Sequence, residues 1–137
     1  MKALHCIAGN IALALLLVLA GCEAINAPPP ASAFFVARLQ DCKPGATIPS
    51  CENFVAGEEP AVVCVNYQRQ TVTIRVNNVT TGAISWNRTE YIPEDRTTCW
   101  WSLKVLPAGT YKAEVFTGGT FLRSYTFNIA RPAPRKR

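Results

Sequence analysis

From Phe34 onward, apolar and polar residues alternate with period two or collect in short apolar runs, and no window shows a useful length of helical periodicity. The clearest alternation puts Val72, Ile74 and Val76 on one face and threonine or arginine on the other. This period is that of β-strands with one buried face. It predicts seven strands, over residues 34–39, 61–67, 71–76, 84–92, 99–106, 111–116 and 121–129. Seven short strands separated by turn residues are typical of a single antiparallel β-sandwich, so the fold class is all-β.

The last two strands flank Gly118-Gly119, which is a strong hairpin signal. A two-residue turn would pair Tyr111 with Thr126 and turn Phe127 to the wrong face. The alternation places Tyr111 and Phe127 inward together, and that arrangement needs one extra residue. We therefore expect a bulge or a three-residue loop at Thr117–Thr120.

The segment Leu106-Pro107-Ala108-Gly109-Thr110-Tyr111 precedes the sixth strand of this scheme. It resembles the tyrosine corner of immunoglobulin-like (Ig-like) domains, in which the tyrosine hydroxyl bonds back to the backbone. In antibody domains a core cysteine follows two residues after the tyrosine, whereas this chain has Ala113 there. The resemblance is therefore to the wider class of bacterial Ig-like domains, and it implies an Ig-like sandwich over residues 34–130.

The N-terminus combines Lys2, an apolar run over residues 11–20 and the sequence Leu19-Ala20-Gly21-Cys22. The run is short of the roughly 20 apolar residues that cross a bilayer, and its layout is that of a signal peptide. Leu-Ala-Gly-Cys resembles the lipobox of bacterial lipoproteins. The resemblance implies cleavage after residue 21 and lipidation of Cys22, which would be the membrane anchor. A signal peptide without lipid, cleaved near Ala24 or Ala27, is the alternative.

The Pro-rich stretch that completes residues 22–33 is typical of an extended tether. Export also bears on the remaining cysteines, Cys42, Cys51, Cys64 and Cys99, because an even number in an oxidising compartment predicts two disulfides. Cys42 and Cys51 flank one Pro- and Gly-containing loop, which favours the pairs Cys42–Cys51 and Cys64–Cys99 over the other two pairings. A four-cysteine zinc site is the competing interpretation, and no C-x₂₋₄-C pair supports it.

The formal charge of +5 is concentrated at the C-terminus. Residues 23–130 carry nine basic and nine acidic side chains, while residues 131–137 include Arg131, Arg135, Lys136 and Arg137. A neutral body argues against nucleic acid as its partner. The basic tail is either a solvated end or a site of contact with anionic phospholipid, lipopolysaccharide or an acidic protein.

The sequence contains few residues in arrangements that could carry out catalysis. The one histidine, His5, lies in the signal peptide, the carboxylates occur singly or as adjacent pairs, and no Gly-rich phosphate loop is present. We therefore predict no enzyme activity, no cofactor and no metal site. Trp100 and Trp101 are the other candidates: adjacent strand residues face opposite sides, so one should be buried and the other exposed unless a loop or partner covers it. A role in the core alone is the alternative.

Together these patterns predict a signal peptide (residues 1–21), a lipidated tether (22–33), an Ig-like domain (34–130) and a basic, disordered tail (131–137). The expected function is that of a non-catalytic lipoprotein whose domain binds another envelope protein, as an accessory subunit of a secretion, conjugation or surface assembly. The alternative is a periplasmic inhibitor or immunity lipoprotein directed against a hydrolase or toxin. Glu23 follows Cys22 where inner-membrane retention uses Asp, which favours the outer membrane, facing the periplasm.

Overall fold

A computed structural model describes residues 31–135. The expected signal peptide, Cys22, most of the tether, and Lys136 and Arg137 of the tail lie outside the described residues. Eight strands form the domain: β1 Ala33–Arg38, β2 Asn53–Phe54, β3 Pro60–Val65, β4 Gln70–Asn78, β5 Ile84–Ile92, β6 Thr98–Ser102, β7 Gly109–Thr117 and β8 Thr120–Ile129. A single 3-10 turn, Leu39–Asp41, follows β1, and the part of the chain that is described holds no helix long and apolar enough to span a membrane.

The strands form two sheets, with orders β1-β3-β6 and β2-β8-β7-β4-β5. Every pairing is antiparallel except that of β2 with β8. In an Ig-like sandwich the first, second, fourth and fifth strands share one sheet, and the third, sixth and seventh share the other. β1, β3 and β6 occupy the positions of the first, second and fifth strands, and β4, β7 and β8 those of the third, sixth and seventh. β5 follows β4 but pairs in the second sheet, so the described residues have no strand at the fourth position. The domain is an Ig-like β-sandwich, extended by β5 at one edge and by the short β2 at the other.

The inward faces of the two sheets form one core. Val72, Ile74 and Val76 of β4 are at most 1% exposed and pack in the same cluster as Phe34, Val36 and Val62 of the opposite sheet. At the base of the core the Phe127 ring stacks on Tyr111, with ring centroids 5.5 Å apart, and meets Phe54 edge-on at 5.7 Å. The inward faces predicted from the alternation in β4, β7 and β8 are confirmed.

The tyrosine corner is present. The Tyr111 hydroxyl donates a hydrogen bond to the Pro107 carbonyl oxygen at 2.7 Å, and Tyr111 is 1% exposed. This bond fixes the connection between β6 and β7 against the start of β7, as the resemblance implied.

The hairpin of β7 and β8 contains the expected extra residue, but at a different place. Gly118 and Gly119 both have positive φ (55° and 79°), which suits a two-residue type I′ turn. The register then pairs Phe116 with Phe121 and Val115 with Arg123, so Leu122 is the extra residue. The bulge therefore lies in β8, beyond the predicted Thr117–Thr120, because two glycines close the turn without a third residue.

One strand and two strand ends differ from the sequence prediction for a local physical reason. β2 was not predicted, because its two residues lie at the end of a loop and are held by pairing with Asn128 and Ile129 of β8. β3 ends at Val65, because Asn66 turns the chain with φ 60°. β6 ends at Ser102, because Lys104 turns the chain with φ 62°. Leu103, which follows β6, is still only 2% exposed. Its side chain is therefore buried although the residue belongs to a connection and not to a strand.

Candidate protein-binding surface

Trp100 and Trp101 lie in the middle of β6, which is an edge strand of the three-stranded sheet. Trp101 packs against the core cluster, whereas Trp100, the next residue along the strand, faces the outer side. Both side chains are half-buried, so the expected division into one buried and one exposed tryptophan is replaced by two partly covered ones. Trp101 lies at the edge of its sheet, and a loop borders Trp100.

The Trp101 indole connects the two sheets. Its Nε1–H donates a hydrogen bond to the Glu90 carboxylate at 2.6 Å. The same carboxylate forms an ion pair with Arg88, whose Nε lies 3.2 Å from the carboxylate oxygen. Glu90 and Arg88 lie on the inward face of β5, opposite Val72 and Ile74 of β4. Arg88 is nevertheless exposed, so the three-stranded sheet does not extend over this part of β5. One flank of the sandwich is therefore open between β5 and β6.

A cleft of about 680 Å³ lies beside Trp100. Its walls are the loop residues Lys43–Thr47 on one side and residues 95–101 on the other, including Asp95, Arg96 and Trp100. The volume falls in the range of sites that hold small molecules or side chains of a partner. The loop that the sequence predicted between Cys42 and Cys51 thus forms one wall of the surface that includes the tryptophans.

Cys64 and Cys99 face each other directly across β3 and β6. Both are buried, at 1% and 7% exposed. Directly opposed residues in an antiparallel pair have Cα atoms about 4.5–5.5 Å apart, which lies within the ~4.4–6.8 Å that a disulfide spans. The two thiols are free in this structure. Burial raises the pKa of Cys64 to about 12, with a further contribution from Cys99, and burial also raises the pKa of Cys99.

Cys42 and Cys51 are also free, and both lie beside the end of β1. The Cys42 thiol lies 3.6 Å from the Arg38 carbonyl oxygen, and the Cys51 backbone N–H donates to the Val36 carbonyl at 2.8 Å. Burial raises the pKa of Cys42, and Asp41 adds to the shift. The loop is therefore closed at its base, which is compatible with the predicted pairing; the disulfides themselves remain predictions. Among the described residues, no three His, Cys, Asp or Glu side chains cluster where a metal ion could bind.

The outer face of the five-stranded sheet carries an aromatic group that the sequence analysis missed. The Arg75 guanidinium lies 5.3 Å from the Phe116 ring centroid, and Phe116 meets Phe121 edge-on at 5.8 Å. Tyr91 and Phe121 are 58% and 50% exposed. The alternation in β4 already placed Arg75 outward. Its proximity to Phe121 depends on the bulge at Leu122, whose position the sequence did not specify.

The described part of the tail, residues 131–135, is exposed and has no regular secondary structure, and it includes Arg131 and Arg135. The chain enters the domain at one end of the sandwich, where the Asn66 side-chain amide donates to the Ala31 carbonyl at 2.9 Å. It leaves at the other end, after the ten residues of β8, which span roughly 33 Å. The first and the last described residues therefore lie at opposite ends of the domain.

No protein-family model matches this sequence, and comparison with curated proteins finds no match. Among solved structures, the chain is similar to the soluble domain of PmoD from Methylocystis sp., with a TM-score of 0.50, 9% identity, and coverage of 72% of this chain and 90% of that one. It is more distantly similar to the IG1–IG1 heterodimer of ZIG-8 and RIG-5 (TM-score 0.41, 15% identity, 68% and 94% coverage). At such identities the similarity concerns the fold alone.

Proposed function

We propose that this chain is a lipid-anchored lipoprotein of the bacterial envelope whose Ig-like domain binds another protein. The observation that carries the binding role is the pair Trp100 and Trp101 on the edge of β6, beside an open flank and a cleft. Tryptophan is enriched among the residues that dominate binding energy at protein interfaces. The anchor is supported by Leu19-Ala20-Gly21-Cys22, and the proposed role is that of an accessory subunit in a secretion, conjugation or surface assembly.

The position of the first and the last described residues at opposite ends gives this proposal an orientation. A domain held through Cys22 would hang from the end that contains Ala31 and Asn66. The basic residues of the tail would then extend from the end farther from the anchor. This favours an acidic partner or a second anionic surface over the headgroups next to the anchor as the target of the tail.

The proposal places the protein at the outer membrane, facing the periplasm, and assigns it no catalytic step and no cofactor. Glu23 after Cys22 supports the location, and the sequence supports the absence of catalysis because removal of the signal peptide removes the only histidine. The oxidising periplasm would also suit the opposed pair Cys64 and Cys99.

Affinity purification of the full chain from detergent-solubilised envelope tests the proposal. We expect subunits of one assembly to co-purify with the wild-type chain and with a Trp101→Phe variant, which keeps an aromatic ring. A Cys22→Ala variant should lose incorporation of radioactive palmitate and should no longer fractionate with membranes. Unchanged palmitate incorporation in that variant would show that Cys22 is not the anchor.

A second function, that of a periplasmic inhibitor or immunity protein, is favoured by one loop. Glu94 and Asp95 are exposed in the connection between β5 and β6, and Asp95 borders the cleft beside Trp100. An exposed carboxylate beside an aromatic ring could enter the active site of a hydrolase. The same purification separates the two functions, because an inhibitor would recover a single hydrolase or toxin rather than several assembly subunits.

A further inference from the structure

The two sheets have four edge strands, and three of them are protected against pairing with another chain. β1 is partly covered by the Cys51 backbone N–H, which donates to the Val36 carbonyl. β2 is only two residues long, and β5 carries Arg88 and Glu90 on its inward face. Covered edges, short edges and inward-pointing charges are devices by which proteins block edge-to-edge association. β6 carries no charged residue in its five-residue span, and its central residues are the two tryptophans.

The free edge of β6 presents a defined set of backbone groups. The Leu103 N–H donates to the Pro60 carbonyl at 2.9 Å, and the Asn66 N–H donates to the Thr97 carbonyl at 2.8 Å, so these odd-numbered residues of the β6 segment face β3. Hydrogen-bonding direction alternates along an antiparallel strand. The N–H and C=O groups of Thr98, Trp100 and Ser102 therefore point away from β3. Within residues 31–135 these groups have no backbone partner.

Basic side chains lie near both ends of this edge. Arg96 lies two residues before β6 and Lys104 two residues after it, both are exposed, and Lys43 lines the cleft next to Trp100. The nearby carboxylates are largely engaged: Glu90 accepts from Trp101 and Arg88, Glu94 pairs with Arg69, and Glu59 accepts from the Ser102 hydroxyl at 2.6 Å. Asp95 is the acidic residue on the cleft wall that forms no ion pair with another described side chain.

We propose that β6 binds an extended segment of a partner protein as a fourth strand of its sheet, and that this segment has acidic residues on both sides of an uncharged stretch. This inference rests on the proposed protein-binding function and names the surface that performs it. The added strand would pair with Thr98, Trp100 and Ser102, and its flanking carboxylates would meet Arg96 and Lys104. Its side chains would pack alternately beside Trp101 in the open flank and beside Trp100 in the cleft.

A second copy of this chain fits the edge less well. A two-fold antiparallel pairing centred on Trp100 would bring Arg96 of each copy near Lys104 of the other, just beyond the two ends of β6. Like charges brought close together repel, and the symmetry would repeat the repulsion. A bound segment with acidic flanks would instead place a carboxylate near Arg96 and another near Lys104, so both contacts would join opposite charges.

Two synthetic nine-residue peptides of alternating threonine and valine test the proposal, one with aspartate at both ends and one with lysine at both ends. Binding to the full chain in detergent is measured by calorimetry. The aspartate peptide should bind about tenfold more tightly, as expected for two opposite-charge contacts at the ends of the strand. Amide hydrogen exchange should show the Trp100 N–H unprotected in the free chain and protected on binding. Failure of the aspartate peptide to bind, or a Trp100 amide already protected in the free chain, would overturn the proposal.

Two sets of variants identify the edge as the binding site. Thr98→Pro removes an N–H that faces the free edge while leaving the hydrogen bonds between β6 and β3 in place, and proline is tolerated on edge strands. Thr98→Pro should abolish peptide binding, whereas Thr98→Ala should retain it. The double variant Arg96→Glu and Lys104→Glu should reverse the preference toward the lysine peptide. This reversal does not depend on proline being accommodated, and an unchanged preference would reject the charge argument.

The same variants separate this inference from the proposed function. If a partner co-purifies equally well with wild type and Thr98→Pro, the domain binds proteins through another surface and the β6 proposal is wrong. If the peptides bind as described but no protein partner is recovered from the envelope, β6 can bind an extended segment and the proposed function is wrong.

Discussion

The Tyr111 hydroxyl donates to the Pro107 carbonyl oxygen at 2.7 Å, across the connection that leads from β6 into β7. Tyr111 is buried, and its ring stacks on Phe127 in the core. A buried hydroxyl needs a hydrogen-bond partner inside the protein. The Pro107 carbonyl is that partner, and the bond holds the connection against the start of β7.

Tyr111→Phe should therefore destabilise the domain by about 1–2 kcal/mol, because it removes the hydrogen bond and leaves the ring in place. Urea unfolding measures the change. Tyr91→Phe is the matched control: Tyr91 is 58% exposed, so loss of its hydroxyl should change the free energy of unfolding by less than about 0.5 kcal/mol. Equal effects of the two variants would mean that the corner bond contributes nothing.

We predict the disulfides Cys42–Cys51 and Cys64–Cys99 in protein taken from the periplasm. Cys64 and Cys99 are directly opposed, and Cys42 and Cys51 both lie against the end of β1. Each bond should contribute a few kcal/mol, nominally more for the longer loop. Peptide mapping without reduction is the measurement, and either a Cys42–Cys99 peptide or four free thiols would refute the assignment.

Alkaline pH gives an independent test of the Cys64–Cys99 pair. In the reduced protein, burial raises the Cys64 pKa from 9.0 to about 12, so the folded state binds a proton that the unfolded chain loses. The stability that this group contributes is complete below about pH 9 and is lost as pH rises toward 12. The free energy of unfolding of reduced protein should thus fall more steeply over this range than that of oxidised protein. Parallel pH profiles would show that folding does not raise the pKa of Cys64 in the reduced protein.

Local pattern was enough to predict much of this fold. β5 lies at its predicted bounds, the inward faces of β4 and β7 follow the alternation, and the motif from Leu106 to Tyr111 forms the expected corner. These features depend on residues close together in the sequence. The position of the bulge at Leu122 and the existence of β2 depend on pairing between distant segments, which alternation does not report.

The candidate site shows the same division. Residue type alone made Trp100 and Trp101 candidates for binding, but whether they are available to a partner depends on the order of strands in the sheet. Only the order β1-β3-β6 shows that these residues lie on an unpaired edge, and only the opposing sheet brings Glu90 to the Trp101 indole. Likewise, Arg75 joins Phe116 and Phe121 because of the register of three strands.

Deletion of residues 131–137 should leave the melting temperature nearly unchanged, because residues 131–135 are exposed and have no regular secondary structure. In the Cys22→Ala form, which removes the proposed lipid attachment, the deletion should weaken binding to anionic vesicles. That binding should fade with salt, as the Debye length shortens from about 10 Å at 0.1 M. A fall of several degrees in melting temperature would show that the tail packs on the domain. Vesicle binding that survives the deletion would place the electrostatic site on the folded body.

The central claim is that a membrane-anchored Ig-like domain binds another envelope protein through its surface. Site-specific photo-crosslinking in intact cells tests it most directly, with a photoreactive phenylalanine derivative replacing Tyr91, Trp100 or Phe121 in turn. These positions sample the outer face of the five-stranded sheet and the edge of β6. We predict that membrane-bound protein forms a crosslink to one defined envelope protein, most strongly from position 100. Membrane-bound protein that crosslinks to no other protein from any of the three positions would contradict it.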